Sequence, residues 1–402
     1  LDKLALFGGR PVRETFLPYG SQWVDEEDIE AVTKILRSPF LTQGPEIDKF
    51  EQAIADISGA RYAVAFSNGT AALHGACFAA GIEPGDEVIT SPLTFVASSN
   101  CVLYQGGTPI FADVDERTYL LDIAKVRERI TPRTKALIPV DFAGQPVDMR
   151  AYKNLSKEYN LVYIQDAAHS LGASFSGDPV GAVADMTMFS FHPVKPVTTA
   201  EGGVIVTNSE EFYEKLRLFR SHGITRDASK LEMEAEGPWY YEMQSLGYNY
   251  RMTDLQAVLG SSQLAKLEQF IERRREIAKR YDEAFVELEE LGLLRRPYQH
   301  LYSKSGWHLY VIQLGLDRLT ADRRTVFEAL RAENIGVNVH YIPIYRQPYY
   351  QRLGYPLGTC PKTDAVYERM ITLPLFPKMS KQDICDVILA VKKVVGYFSE
   401  SN

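Results

Sequence analysis

The segment FSFHPVKPVTTAEGG, Phe189 to Gly203, sets Lys195 directly before Pro196 among apolar and small residues. Proline disfavours helix at the residue before it and has no N–H for a sheet ladder, so Lys195 is expected in an extended bend between two strands. A lysine desolvated there is either a paired structural charge or a reactive amine. Upstream, IQDAAHS closes an apolar strand on Asp166, where a carboxylate needs a cation or a hydrogen bond. Asp166 could instead cap the next helix, and His169 could orient it or be a core histidine. SNGTAALHGA, Ser67 to Ala76, follows the strand-like YAVAF and opens a helical pattern. Gly69 permits a tight strand-to-helix turn, and the free N–H groups of Gly69, Thr70 and Ala71 would hold an anion. An ordinary capped turn is the alternative.

Taken together the pieces have one chemistry in common. A lysine amine able to condense with a carbonyl, a carboxylate able to hold a pyridine nitrogen protonated, and a helix N-terminus with the Ser190 hydroxyl for a phosphate fit pyridoxal 5′-phosphate. Phe95 in SPLTFVAS follows another strand end, where its ring could lie on a cofactor ring or belong to the core. Neither GxGxxG nor GxxxxGK[ST] occurs, so no dinucleotide or nucleoside triphosphate is indicated.

These residues need a scaffold. From about Arg61 to Thr207, short β-branched runs (YAVAF, EVITS, PIFADV, KALIPV, LVYIQD, MTMFS, GVIVT) alternate with helical patterns. That rhythm predicts an α/β fold with a large, mostly parallel sheet, helices on both faces and ligands beyond the carboxyl ends of the strands. A helical span over Thr253–Glu290 follows. Then come a strand (His308–Leu314), a helix (Thr320–Asn334), a strand (Gly336–Tyr341) and a last helix (Lys381–Phe398), a smaller α+β unit. A first helix is expected near Glu26–Ser38. The expected division is residues 1–250, with the cofactor-binding domain, and 251–402.

Composition narrows the function. The 402 residues carry a net charge of −8 and no basic run beyond Arg273–Arg275, which reads as a solvated helix face, so no nucleic-acid partner is expected. Four scattered cysteines without a CxxC pair argue against a metal site and a disulfide framework. No apolar run is long enough to span a membrane, and a cytoplasmic protein is expected.

SNGTAAL, SPLTFVAS, DAAHSLG, FSFHPVKPVTTAEGG, FRSHGI, GYNYRMTDLQAVLG and VNVHYIPIY, in this order over nearly the whole chain, resemble the DegT/StrS-type sugar aminotransferases, which are fold-type I pyridoxal phosphate enzymes. The resemblance implies that Lys195 holds the cofactor covalently and that Asp166 meets its pyridine nitrogen. It implies Phe95 on the ring with His169 close by, and Gly69, Thr70 and Ser190 at the phosphate. It further implies a homodimer in which Asn249 and Arg251 complete the neighbouring subunit's site, although Asn249 alone reads as a turn residue. Some relatives carry His in place of this lysine and act as sugar dehydratases; Lys195 points away from that branch.

By the same resemblance L-glutamate is the amino donor and a nucleotide-linked ketosugar the acceptor. Thr42 and Gln43 in LTQGPEIDKFEQ, His222, and His340, Tyr341 and Tyr345 in VHYIPIY are candidate substrate contacts, the last three for the diphosphate. The aromatic cluster Tyr341–Tyr350 could equally be a packed surface. SFHPVKPVTTAEGG, LFRSHG and VHYIPIY most resemble the branch that aminates C4 of UDP-4-keto-6-deoxy-N-acetyl-β-L-altrosamine in the pseudaminic acid pathway. Alternatives are C3 or C4 amination of another UDP- or dTDP-ketosugar, or a non-catalytic, cofactor-binding regulator.

Overall fold

The computed structural model describes residues 3–399. Seven strands form the main sheet: β1 (Tyr62–Phe66), β2 (Glu87–Thr90), β3 (Thr108–Phe111), β4 (Thr134–Ile138), β5 (Val162–Asp166), β6 (Met186–Ser190) and β7 (Gly203–Thr207). Their spatial order is β1-β7-β6-β5-β4-β2-β3. β7 runs antiparallel to both of its neighbours and every other pairing is parallel. β2, β6 and β7 are buried almost throughout, as strands covered on both faces must be. Because β1, β2, β4, β5 and β6 point the same way, Ser67, Ser91, Asp141, Asp166 and Phe191 all emerge at one edge of the sheet.

The helices are α1 (Glu26–Leu36), α2 (Pro45–Ser58), α3 (Gly69–Ala79), α4 (Ala97–Tyr104), α5 (Ile123–Arg129), α6 (Met149–Tyr159), α7 (Glu210–Arg220), α8 (Asp254–Leu264), α9 (Leu267–Ala284), α10 (Val286–Glu290), α11 (Arg323–Ala332), α12 (Pro348–Arg352), α13 (Pro361–Arg369) and α14 (Lys381–Phe398). The single helix expected over Thr253–Glu290 is three helices. Its first break falls where Lys266 turns to the carboxylates of Asp25 and Asp28, at 2.7 and 2.9 Å.

The smaller sheet consists of β8 (Leu294–Arg295), β9 (Tyr310–Leu314) and β10 (Met370–Leu373), with β9 in the centre. The strand expected at Gly336–Tyr341 is absent as a ladder. Gly336 donates instead to the Leu17 carbonyl, and only Asn338 pairs with Thr372 of β10.

Two apolar cores divide along α9. Leu267 and Ile271 pack with Phe50, Tyr163, Phe189, Met252 and Ala257 around the main sheet. Ile277, Ala278 and Tyr281 pack with Tyr310, Val326 and Val394, and with Leu4 and Leu17 from the N-terminal segment. The seam between the two cores falls inside α9. Arg274 sits at that seam and is 1% exposed. The expected solvated face at Arg273–Arg275 is therefore wrong at its middle residue, whose Nη1 donates to the carbonyls of Trp307, His308 and Leu375 at 3.3, 3.2 and 2.9 Å.

Candidate active site

Beyond β6 the chain makes a turn closed by the Lys195 N–H on the His192 carbonyl at 2.9 Å. Thr198 and Thr199 fold the segment back: both reach the Phe191 carbonyl, Thr198 by its hydroxyl and Thr199 by its N–H. Ala200 then takes a positive φ of 63° before β7 begins. Lys195 is thus held on a bend pinned at both ends, partly open to solvent but walled by protein. Burial, helped by the Arg274 charge, lowers its amine to about 8 against the opposing pull of Asp166.

Asp166 ends β5, the neighbouring strand, and is 3% exposed. Burial raises its carboxyl, while the Ser98 hydroxyl, the Ala168 N–H and the Lys195 charge work to keep it ionised. Ser98 Oγ donates to Oδ2 at 2.6 Å and the Ala168 N–H to Oδ1 at 3.2 Å.

His169 does not orient Asp166. Its Nδ1 accepts from the Ala143 N–H at 3.2 Å, which puts the proton on Nε2, 3.2 Å from the Tyr341 hydroxyl. Burial holds its pKa well below the usual histidine range, so the ring is neutral and donates to Tyr341. The tyrosine keeps its own proton for a ligand. Its ring lies 6.3 Å from Phe95, which stands 58% exposed at the mouth of the site.

The turn after β1 supplies the other wall. Asn68 caps α3 by accepting from the Ala71 N–H, which removes Ala71 from the three free donors expected there. The Gly69 and Thr70 N–H groups have no partner among the described residues. A Cβ on Gly69 would stand 3.2 Å from Ser190 Oγ, and one on Gly203 would stand 2.5 Å from the Asn68 carbonyl. Two glycines therefore let the helix N-terminus close on the end of β6, and two free amides and a hydroxyl form one cradle. Those donors fit a phosphate, and with Lys195 and Asp166 alongside, the residues present fit pyridoxal phosphate.

The remaining expected residues fall into two groups. One is a strip sewn to residues 248–254, exposed at Thr42, Gln43, His222 and Asn249 and half-buried at Arg251. The His222 N–H donates to the Tyr248 carbonyl, Asn249 bridges Ser221, Arg251 bridges Phe66, and Thr42, beside Gln43, bridges Thr253. The strip is continuous with the cradle, because the Ser67 N–H donates to the Tyr250 carbonyl at 2.7 Å. Asp254 anchors its other end by accepting from the Gly44 and Glu46 N–H groups at 2.8 and 3.2 Å.

The second group is buried, contrary to expectation. Tyr345 is fully enclosed and donates to Asp364 at 2.8 Å, so it is a packing residue and not a ligand contact. His340 is 6% exposed, with Nδ1 2.9 Å from Thr372 Oγ1. Burial and the Lys195 charge lower it to about 3, and an enclosed neutral ring is a poor diphosphate ligand. Of the three, only Tyr341 faces the site.

Residues 22–392 match the DegT/DnrJ/EryC1/StrS aminotransferase family. The chain belongs to that family. It is 42% identical to the spore coat polysaccharide biosynthesis protein SpsC of Bacillus subtilis, over 95% of this chain and 98% of that protein. It superimposes on Helicobacter pylori PseC, an aminotransferase involved in the biosynthesis of pseudoaminic acid, with a TM-score of 0.85 and 33% identity over 96% of this chain and all of that one. Spr1654 of Streptococcus pneumoniae in its PMP form matches with a TM-score of 0.88 and 31% identity, over 95% and 99% of the two chains. The protein is thus a fold-type I, pyridoxal phosphate-dependent sugar aminotransferase. Among the described residues no helix is long and apolar enough to cross a membrane.

Proposed function

We propose that this aminotransferase moves an amino group from L-glutamate to C4 of a UDP-linked 4-keto-6-deoxyhexose of the N-acetyl-β-L-altrosamine type. It works in the cytoplasm as a homodimer. The observation that carries the proton-transfer chemistry is Lys195 with its pKa lowered to about 8, next to a carboxylate held at the end of β5. An amine that titrates there is about one-tenth neutral at pH 7, far more than an ordinary lysine, so Lys195 Nζ can take a proton from the donor's α-carbon and return one to the sugar carbon. Bound pyridoxal phosphate supplies the electron sink for both halves. The Asp166 carboxylate holds the pyridine nitrogen; Gly69, Thr70 and Ser190 hold the phosphate; Phe95 covers the ring.

Tyr341, steadied by neutral His169, donates its hydroxyl to the sugar nucleotide. The strip with Thr42, Gln43, His222, Asn249 and Arg251 faces the neighbouring subunit's site, which accounts for functional residue types on an open surface next to the cradle. Likeness to PseC, an aminotransferase involved in the biosynthesis of pseudoaminic acid, supports an acceptor of the pseudaminic acid type. The 42% identity to SpsC favours, as a second reading, a different ketosugar destined for a surface polysaccharide.

Incubation with glutamate and a panel of UDP- and dTDP-3-keto and 4-keto sugars, read by mass spectrometry and NMR, tests the reading. The 4-amino UDP-sugar is expected. Turnover restricted to dTDP or 3-keto acceptors overturns the substrate assignment, and loss of turnover in Lys195→Ala is required by the role given to the lysine.

A further inference from the structure

Asp166 is a buried carboxylate that makes no salt bridge among the described residues. Its charge is sustained from close range by two donors, one for each oxygen. The shorter bond, 2.6 Å, comes from Ser98 in the first turn of α4. Ser98 Oγ also lies 2.8 Å from Thr94 Oγ1. An ionised carboxylate only accepts, so the single Ser98 proton points at Asp166 and Thr94 must be the donor to Ser98. The order Thr94 to Ser98 to Asp166 follows. All three residues are less than 5% exposed, which shields the relay from water. The same turn carries Phe95, whose carbonyl accepts from the Ser98 N–H at 3.2 Å.

We propose that Ser98, polarised by Thr94, is the positioning residue that fixes the orientation and charge of the Asp166 carboxylate. The proposal rests on the reading that Asp166 holds the cofactor's pyridine nitrogen. A carboxylate with a rotating or half-protonated head would hold that nitrogen less well, and the only other direct donor among the described residues, the Ala168 N–H, is longer at 3.2 Å and serves the other oxygen. Thr94 lies in the bend before α4 and Ser98 in its first turn, and the chain between them brings the two hydroxyls together while Phe95 stands exposed at the mouth.

The test uses protein loaded with pyridoxal phosphate labelled with nitrogen-15 in the ring. Ring-nitrogen protonation is read by NMR, and cofactor affinity by titrating the apoprotein. Ser98→Ala is expected to shift the nitrogen signal toward the unprotonated form and weaken cofactor binding about tenfold, the scale of one hydrogen bond to a charged group. Thr94→Val keeps the side-chain shape and the Ser98 hydroxyl, so it should move both readouts the same way by about a third as much on a logarithmic scale. It also serves if Ser98→Ala fails to fold. Asp166→Asn is the reference and should abolish the protonated signal. Normal signals in both hydroxyl variants with a changed Asp166→Asn overturn the relay alone. An unchanged Asp166→Asn overturns the reading of Asp166 and the relay with it.

Discussion

Raising the pH of the cofactor-free protein from 7 to 9 should increase the acylation rate of Lys195 about tenfold, where an ordinary lysine gains about a hundredfold. The difference follows from burial, which brings this amine from 10.5 to about 8. A group titrating near 8 is about one-tenth neutral at pH 7 and about nine-tenths neutral at pH 9, whereas one at 10.5 goes from about 0.03% to about 3%. At pH 7 the neutral fraction of Lys195 should therefore exceed that of a free lysine by a factor of about 300. Trace labelling with acetic anhydride, with peptide mass spectrometry and exposed Lys378 as the internal reference, measures the curve directly.

Two substitutions separate the electrostatic account from a general loosening. Asp166 raises the Lys195 pKa and Arg274 lowers it. Asp166→Asn should consequently move the midpoint below 8, and Arg274→Met should move it up toward the usual lysine value. Loosening would admit water and move both upward. A hundredfold climb without levelling near pH 8 in the unaltered protein, or two variants that move together, would refute the reasoning.

Further consequences concern the elements under the site. Glu51 accepts from the Ala65 N–H of β1 at 2.7 Å and pairs with Arg220, which also donates to the Ala65 carbonyl at 2.9 Å. Glu51→Ala strands a half-buried guanidinium and a sheet N–H, and should cost about 3–5 kcal/mol, read as a fall in the urea midpoint; a loss under about 1 kcal/mol would show that water replaces the carboxylate. Asp254→Ala frees the Gly44 and Glu46 N–H groups and should cost about 1–3 kcal/mol. Hydrogen exchange at those two amides should accelerate before any change in the main sheet, and simultaneous acceleration would mean that the Thr42 loop is not separately anchored.

What could be read from the sequence, and what could not, divides by the range of the interaction. Strand ends are local, so Asp166, Ser190 and Lys195 could be ranked from the apolar runs that precede them and the proline that follows the lysine. The expected α14, Lys381–Phe398, has the same bounds in the structure because its capping box, Ser380 with Asp383, and its apolar stripe lie within one stretch of chain. The strand expected at Gly336–Tyr341 fails because its hydrogen bonds go to Leu17 and Thr372, partners that its own alternation of residues does not name. Tyr345 and His340 mislead for a similar reason: polar aromatics in a motif read as ligand contacts until Asp364 and Thr372 are found to occupy them.

Arg274 shows the limit most clearly. Flanked by Arg273 and Arg275 in a charged helix, it has no local mark of burial, and a buried guanidinium without a carboxylate is costly enough to be expected at the surface. Three carbonyls, from Trp307, His308 and Leu375, compensate it, and no residue type signals a carbonyl, since every residue has one. The cost of that arrangement has a counterpart in the site. A positive charge at the seam of the two cores acts on Lys195, and among the described residues no carboxylate pairs with it to cancel the field. A surface arginine, screened and paired, could not lower the lysine in that way.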